Sequence, residues 1–445
     1  MKDGDFVNKK ILFIQPTPYN SSGNLIKKKK LYFLGLGLPL LAGLTPSDWE
    51  TDICLETIEE VPFDTDADVI AISSMGHAVI RTIDIAKEFK KRGKIVILGG
   101  YMVSLMPEEA KKHCDCVVIG DAEEVWHFVL EDIINNDIKP FYKKTLTKLE
   151  YPLPRFDLLL NKNIGDFLPV QAGRGCPNVC SFCSVYCLYR GKYYRREIKD
   201  VIRDIKHVKS IGFKKFLLLD DNILSDRNYT ISLCNEIKKL KMKWLSQCSV
   251  KIGEDDELLK IVSESGCVTL SFGLESITQE SLNSMNKSWA NPSEYSKLLK
   301  NIRKHSIDLS TEMVVGAEGD TLESIKATAK FIEDNKVVVP RFYILTPIPG
   351  TEFFKQMQKE NRICNNDIYS YNGTEAVHIP KNMTPEELTK AYWNLYNDVF
   401  KISSIIKRTI CHEDFFKRPH IYLFYLGVNL YYRYQIKHKI TPNII

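Results

Sequence analysis

Twice along this chain, short apolar runs alternate with amphipathic stretches, and that rhythm leaves few folds open. Between Lys9 and about Ile134 the runs are KKILFIQP, DADVIAISSM, KIVILGG and CDCVVIG, parted by stretches such as IDIAKEFKKRG and AEEVWHFVLEDI. Strands covered by helices on both faces read as continuous apolar runs, and parallel strands need helical crossovers. The first region, residues 1–135, is therefore expected to be a Rossmann-like, doubly wound α/β domain. Residues 136–166, with Pro152 and Pro154, read as a linker.

The second region, residues 167–365, repeats strand then helix about six times. Its strands read FLPVQAG (167–173), FKKFLLLDD (213–221), KWLSQCSV (243–250), CVTLSFGLES (267–276), STEMVVG (310–316) and RFYILTP (341–347). Six such units predict a partial (β/α)6 barrel, with function at the C-terminal strand ends. Helix starts are expected at Asn291, followed by Pro292 and Glu294, and at Asp320, followed by Glu323. From residue 366 to 445 the alternation stops. TPEELTKAYWNLYNDVFKISSIIKR predicts one long amphipathic helix, and HIYLFYLGVNLYYRYQIK a further helical stretch, giving a helical C-terminal region.

Composition narrows the function classes. The 61 basic residues against 56 acidic ones are spread along the chain, with one tight run at Lys27–Lys30, so no nucleic acid is expected as partner. MKDGDFVNKK lacks a secretory pattern, and LYFLGLGLPLLAGL (31–44) is shorter than a bilayer span, so a cytoplasmic protein is expected. The aromatic tail offers either core packing or a place for peripheral membrane contact. Most of the twelve cysteines are isolated, which argues against a disulfide framework.

One group of cysteines has ligand spacing. Directly after the first strand of the second region comes GRGCPNVCSFCSVYC, which sets Cys176, Cys180 and Cys183 in a C-x3-C-x2-C pattern. Three thiolates on one loop can hold three corners of a 4Fe-4S cluster and leave the fourth iron open. A zinc site would ordinarily add a fourth Cys or His, and a chance group of buried thiols is the other plain reading.

At these residues the chain resembles the radical SAM superfamily, in which the open iron binds S-adenosyl-L-methionine (SAM). The resemblance implies one-electron cleavage of SAM to methionine and a 5′-deoxyadenosyl radical that takes hydrogen from an unactivated carbon. It places Phe182 against adenine and Glu275 near the ribose or methionyl group. Gly316 of VVGAEGDT falls beside adenine, and Asp220, Asp221 and Asn222 form a polar SAM-contacting motif. Glu275 as a helix cap and Gly316 as a turn glycine are the structural alternatives.

The front region resembles the cobalamin-binding (B12) domain found ahead of many radical SAM domains. SSMGH, LGGYMVSLMPEE and VIGDAEEVW carry that likeness, with Ser73, Ser74, Gly99, Gly100, Ser104, Gly120 and Glu123 implied at the cofactor. The Asp-x-His-x-x-Gly motif that supplies a cobalt-ligating histidine in mutases is absent, since the first strand leads into PTPYNSSGNLIKKKK. The combination is similar to class B radical SAM methylases of the hopanoid and bacteriochlorophyll kind. That likeness implies methyl transfer from methylcobalamin to a carbon of a small-molecule, lipid or tetrapyrrole substrate, with a flavodoxin or ferredoxin as reductant. A cobalamin-dependent cyclase or rearrangement enzyme, or a non-catalytic cobalamin or redox sensor, is the alternative. A methylthiotransferase would carry a further three-cysteine pattern before residue 150, and none is there.

Overall fold

The computed structural model describes residues 9–20, 23–74, 76–367 and 370–442. Met75 of the SSMGH loop and the polar residues 1–8 lie outside them. The chain divides into two units, residues 1–169 (with Ile445) and 170–444.

In the first unit the strands are β1 (Lys10–Gln15), β2 (Glu50–Leu55), β3 (Val69–Ser73), β4 (Ile95–Gly99), β5 (Cys116–Ile119) and β6 (Phe141–Lys143). They form one parallel sheet in the order β2-β1-β3-β4-β5-β6. Helices α1 (Gly37–Leu44), α2 (Val79–Lys91), α3 (Tyr101–Leu105), α4 (Pro107–Lys111) and α5 (Trp126–Ile134) provide the crossovers. Ile11, Phe13 and Ile14 of β1 are fully buried, as a central strand covered on both faces requires. The strand order reverses beside β1, so a crevice opens at the C-terminal ends of β1 and β3, where doubly wound sheets bind ligands.

The stretch 136–166, expected as a linker, belongs to this unit. Phe141–Lys143 pair with Val117–Ile119, and Leu146, Leu149, Tyr151, Phe156 and Leu159 are buried among the prolines. Burial of those apolar side chains outweighs the turn signals around them.

The second unit begins within β7 (Phe167–Val170), which is followed by the hairpin strands β8 (Gly173–Gly175) and β9 (Tyr193–Arg195) around α6 (Ser184–Tyr189). Then come α7 (Ile198–Ser210), β10 (Lys215–Leu218), α8 (Arg227–Leu240), β11 (Lys243–Cys248), α9 (Asp256–Glu264), β12 (Cys267–Glu275), α10 (Gln279–Ser284), α11 (Tyr295–Lys304), β13 (Asp308–Val315), α12 (Leu322–Asp334), β14 (Val339–Ile344) and α13 (Glu352–Lys359). The sheet order β14-β13-β12-β11-β10-β7 follows the chain step by step, which is the partial barrel. Along β12, Leu270, Phe272 and Leu274 are buried while Thr269, Ser271 and Gly273 are half-exposed. The half-exposed side meets polar groups of the barrel and the tail: the Ser271 hydroxyl accepts from Arg341 at 3.2 Å, and Thr269 lies 3.5 Å from the Tyr425 hydroxyl.

The tail folds as α14 (Pro385–Val399), α15 (Ile402–Arg408) and α16 (Pro419–Lys437). The single helix expected over 384–408 is broken at Phe400–Lys401. Buried Arg408 donates to the Val399 carbonyl at 2.9 Å and to the Val337 carbonyl at 2.8 Å, satisfying an acceptor that a continuous helix would have used itself. The start expected at Asp320 also moves by one residue. Thr321 caps α12 in a capping box with Ser324, and Asp320 instead accepts the Gly316 and Ala317 N–H groups at 2.8 and 3.1 Å.

Candidate functional site

Cys176, Cys180 and Cys183 share one loop between β8 and α6, and neighbouring segments pin its backbone. Ser181 donates its N–H to the Met285 carbonyl at 3.0 Å and accepts from Phe353 at 2.9 Å. Asn286 reaches the Val179 carbonyl at 2.8 Å. Two glycines at the loop's entrance make room for close neighbours: a Cβ on Gly173 would stand 2.1 Å from the Tyr193 hydroxyl and displace that ring, and one on Gly175, at φ +89°, would stand 2.2 Å from the Lys192 backbone carbonyl.

The three thiols belong to one electrostatic neighbourhood. Burial pushes Cys180 up to about 11 and Cys183 up to about 12, with Cys176 raising the first and Cys180 the second. Opposing them is Lys287, buried beside the loop. Burial alone would lower its ammonium, but Glu275 and the Cys180 and Cys183 thiols raise it above the ordinary lysine value. Its Nζ donates to Glu275 Oε1 at 2.8 Å and to the Gly273 carbonyl at 2.6 Å. The residues present therefore fit a cube: three thiols on a glycine-bounded loop, a buried cation to offset thiolate charge, and the Asn222 amide 3.9 Å from Cys176 Sγ. Among the described residues no group of three or more His, Cys, Asp or Glu is placed to hold a single metal ion. A four-iron cube asks for wider spacing, because each thiolate binds its own iron.

The other strand-end residues divide by what they touch. Glu275 ends β12 at φ +63°, beside a register shift between Gly273 and Glu275, so strain and a bulge aim its carboxylate at Lys287. Asp220 accepts the Ala172 N–H at 2.8 Å and the Tyr193 hydroxyl at 3.3 Å, and burial pushes its carboxyl up to about 7. Asp221 accepts the Gly175 N–H at 2.7 Å. Both carboxylates thus brace the loop that carries the cysteines. Gly316 lies at φ +95°, and a Cβ there would meet Leu388 of α14 at 2.5 Å, so its missing side chain admits the tail helix. Phe182 is half-buried next to Cys183.

Sequence reasoning missed Lys287, which comes from the turn after α10 and matches no motif. It also missed Trp289, whose ring lies 5.2 Å from Lys287 Nζ and 5.4 Å from Lys251 Nζ. The Trp289 indole N–H and the Ser181 hydroxyl are buried without a hydrogen-bond partner.

In the first unit Ser73, Ser74, Gly99, Gly100 and Gly120 all sit at C-terminal strand ends. Ser74 is fully buried and its hydroxyl has no partner, as expected of a group reserved for a ligand. A Cβ on Gly100, at φ +94°, would stand 2.3 Å from the Ser74 carbonyl, while nothing lies within 4 Å of the Cβ position at Gly120. Ser104 joins two of these loops, donating to the Gly100 carbonyl and accepting the Gly120 N–H, both at 2.8 Å. Glu123 is half-buried in the following turn. This arrangement fits a cofactor that needs close backbone approach and a few hydrogen-bonding groups. In place of a mutase-type histidine, the loop after β1 is held by Thr17, whose N–H donates to buried Glu56 at 3.0 Å, with Arg81 on the same carboxylate. Changing Gly100 to alanine is expected to cost at least about 2 kcal/mol of stability and to lower bound cobalamin per chain, read by cobalt analysis after gel filtration.

Both regions of the chain match known families. Residues 170–332 match the radical SAM superfamily, and residues 40–127 match the B12 binding domain. The chain is 31% identical to bacteriochlorophyllide d C-12(1)-methyltransferase of Chlorobaculum tepidum, over 90% of this chain and 89% of that one. It is 30% identical to bacteriochlorophyllide d C-8(2)-methyltransferase of the same organism, over 86% and 88%. The hopanoid C-2 methylase of Rhodopseudomonas palustris is 20% identical, over 74% and 65%. The fold is shared with TsrM, a radical SAM methyltransferase from Kitasatospora setae solved with cobalamin and a 4Fe-4S cluster (TM-score 0.65, 15% identity, 80% of this chain and 78% of that one). It is shared too with OxsB, a cobalamin-dependent SAM radical enzyme (TM-score 0.66, 13% identity, 95% and 72%). With matches to both domain families and two methyltransferases 31% and 30% identical over most of their length and of this chain, this chain belongs to the class B radical SAM methylases, enzymes that use a 4Fe-4S cluster, SAM and cobalamin.

Proposed function

We propose that this chain methylates an sp3 carbon on the side chain of a tetrapyrrole. The observation that carries this reading is the 31% and 30% identity, over most of all three chains, to two enzymes named for methylating bacteriochlorophyllide d.

Cys176, Cys180 and Cys183 are the proposed cluster ligands. When bound, the cluster and SAM supply one-electron cleavage at a carbon–sulfur bond, and cobalamin supplies a methyl carrier. The protein's own groups position and shield. Lys287 offsets thiolate charge and is itself held by Glu275. Asp220 and Asp221 fix the β8 backbone, and Phe182 offers an aromatic face for adenine. Ser73, Ser74, Gly99, Gly100, Ser104, Gly120 and Glu123 are the proposed cobalamin contacts. The chemistry also calls for an electron donor, for which a flavodoxin or ferredoxin is proposed.

The test is incubation of anaerobically reconstituted protein with SAM bearing a deuterated methyl group and a panel of chlorophyllide-type tetrapyrroles. A tetrapyrrole product heavier by one labelled methyl is expected. A parallel incubation with a hopanoid that alone gains the label would move the substrate class to lipids, and a ring-closed product without added methyl would replace methylation by cyclisation.

A further inference from the structure

Helix α16 is locked by one face and bare on the other. Its inner residues Tyr422 and Tyr425 donate to Asp308 at 3.2 and 3.0 Å, and Asn429 bonds Arg408 at 3.0 Å and the Val338 carbonyl at 2.9 Å. Its outer face carries Leu423 (53% exposed), Phe424 (64%), Tyr431 (54%) and Tyr434 (60%), and Phe416 in the preceding turn is 90% exposed. Spacings of seven from Phe424 to Tyr431 and three from Tyr431 to Tyr434, with Leu423 beside Phe424, set the helical side chains in one stripe along a helix roughly 28 Å long. An ordinary solvent-facing helix in this chain looks different: α11 exposes Ser296, Lys297, Lys300 and Lys304. A contiguous apolar patch on a helix fixed in place marks an interaction surface.

Charge says what covers it. From Phe415 to Ile445 there is no aspartate or glutamate, although the whole chain has 56 acidic residues, and Lys417, Arg418, Arg433, Lys437 and Lys439 fall in that span. Lys437, His438 and Lys439 are exposed at the end of the stripe. No helix among the described residues is long and apolar enough to cross a membrane. An apolar stripe rich in Tyr and Phe, bounded by lysines and free of carboxylates, is the pattern of a helix that lies in the plane of an anionic bilayer surface. Pairing with a second copy would bring two acid-free segments of like charge together.

We infer that the outer face of α16 docks the protein on an anionic lipid surface. The surface would gather the enzyme where membrane-partitioning substrates are concentrated, but docking is independent of the substrate reading because it is measured without turnover.

The test is flotation of the full-length chain with vesicles of equal parts phosphatidylglycerol and phosphatidylcholine, and with phosphatidylcholine alone. Binding to the anionic vesicles that weakens with salt is expected, at least tenfold above the neutral ones. The K437Q/K439Q variant should bind roughly thirty-fold more weakly, the equivalent of about 1 kcal/mol for each cation withdrawn. F424E/Y431E should stay in the unfloated fraction with an unchanged melting temperature; if it does not fold, the lysine variant decides. Equal recovery on both vesicle types, undiminished binding by the variants, or a dimer that dissolves in F424E/Y431E without any vesicle binding would overturn the inference.

Discussion

Protein in which Cys176, Cys180 and Cys183 are all alanine is expected to release no 5′-deoxyadenosine from SAM above background while still binding cobalamin. The three ligands come from one loop of the second unit, whereas the corrinoid site is built on the strand ends of the first. Losing the thiolates removes every protein bond to the iron, and no other described group of Cys, His, Asp or Glu stands ready to replace them. The loop should survive, because Met285, Asn286 and Phe353 hold its backbone rather than the cysteine side chains. Iron and sulfide content, the visible spectrum and nucleoside chromatography read the two halves separately. Loss of cobalamin together with the cluster would mean that the two sites do not load independently.

Changing Lys287 to methionine is expected to destabilise the second unit by about 3–5 kcal/mol, the cost of stranding a buried carboxylate without its partner. Both side chains of the pair are almost wholly buried, so solvent offers Glu275 little relief. Glu275 is moreover fixed in a left-handed backbone conformation and cannot swing out cheaply. The double change K287M/E275Q should recover most of the loss in urea unfolding, since it removes the lone charge. Iron uptake separates structure from chemistry: the double variant should fold yet hold its cluster less well, lacking the ammonium beside Cys180 and Cys183. A K287M chain as stable as the parent would show that the pair is unimportant.

Local patterns made much of this molecule readable beforehand, and long-range contacts hid the rest. The runs ILFI, VIAI and IVIL are strands because helices cover both their faces, and that burial is written in consecutive residues. The cysteine loop is equally local. Strand β2, ETDICL, was missed because its first half is largely exposed and only Ile53, Cys54 and Leu55 are buried. Strand β6 is three residues long among prolines, and only its pairing with β5 makes it a strand. Lys287 reaches Glu275 across a turn, and no spacing rule links it to the cysteines. Gly316 was expected to make room for adenine, yet its missing Cβ makes room for Leu388, far along the chain. Asp220 and Asp221 were expected at SAM, and the structure gives them backbone N–H groups to hold.

The central claim is that one chain loads both an iron–sulfur cube on three cysteines and a corrinoid on its front sheet. Anaerobic reconstitution with iron, sulfide and cobalamin, followed by analysis of all three in a single gel-filtered sample, tests it most directly. About four iron and four sulfide with one cobalamin per chain is the predicted result. A chain that retains no cobalamin, or that keeps the same iron and sulfide once Cys176, Cys180 and Cys183 are alanine, would contradict it.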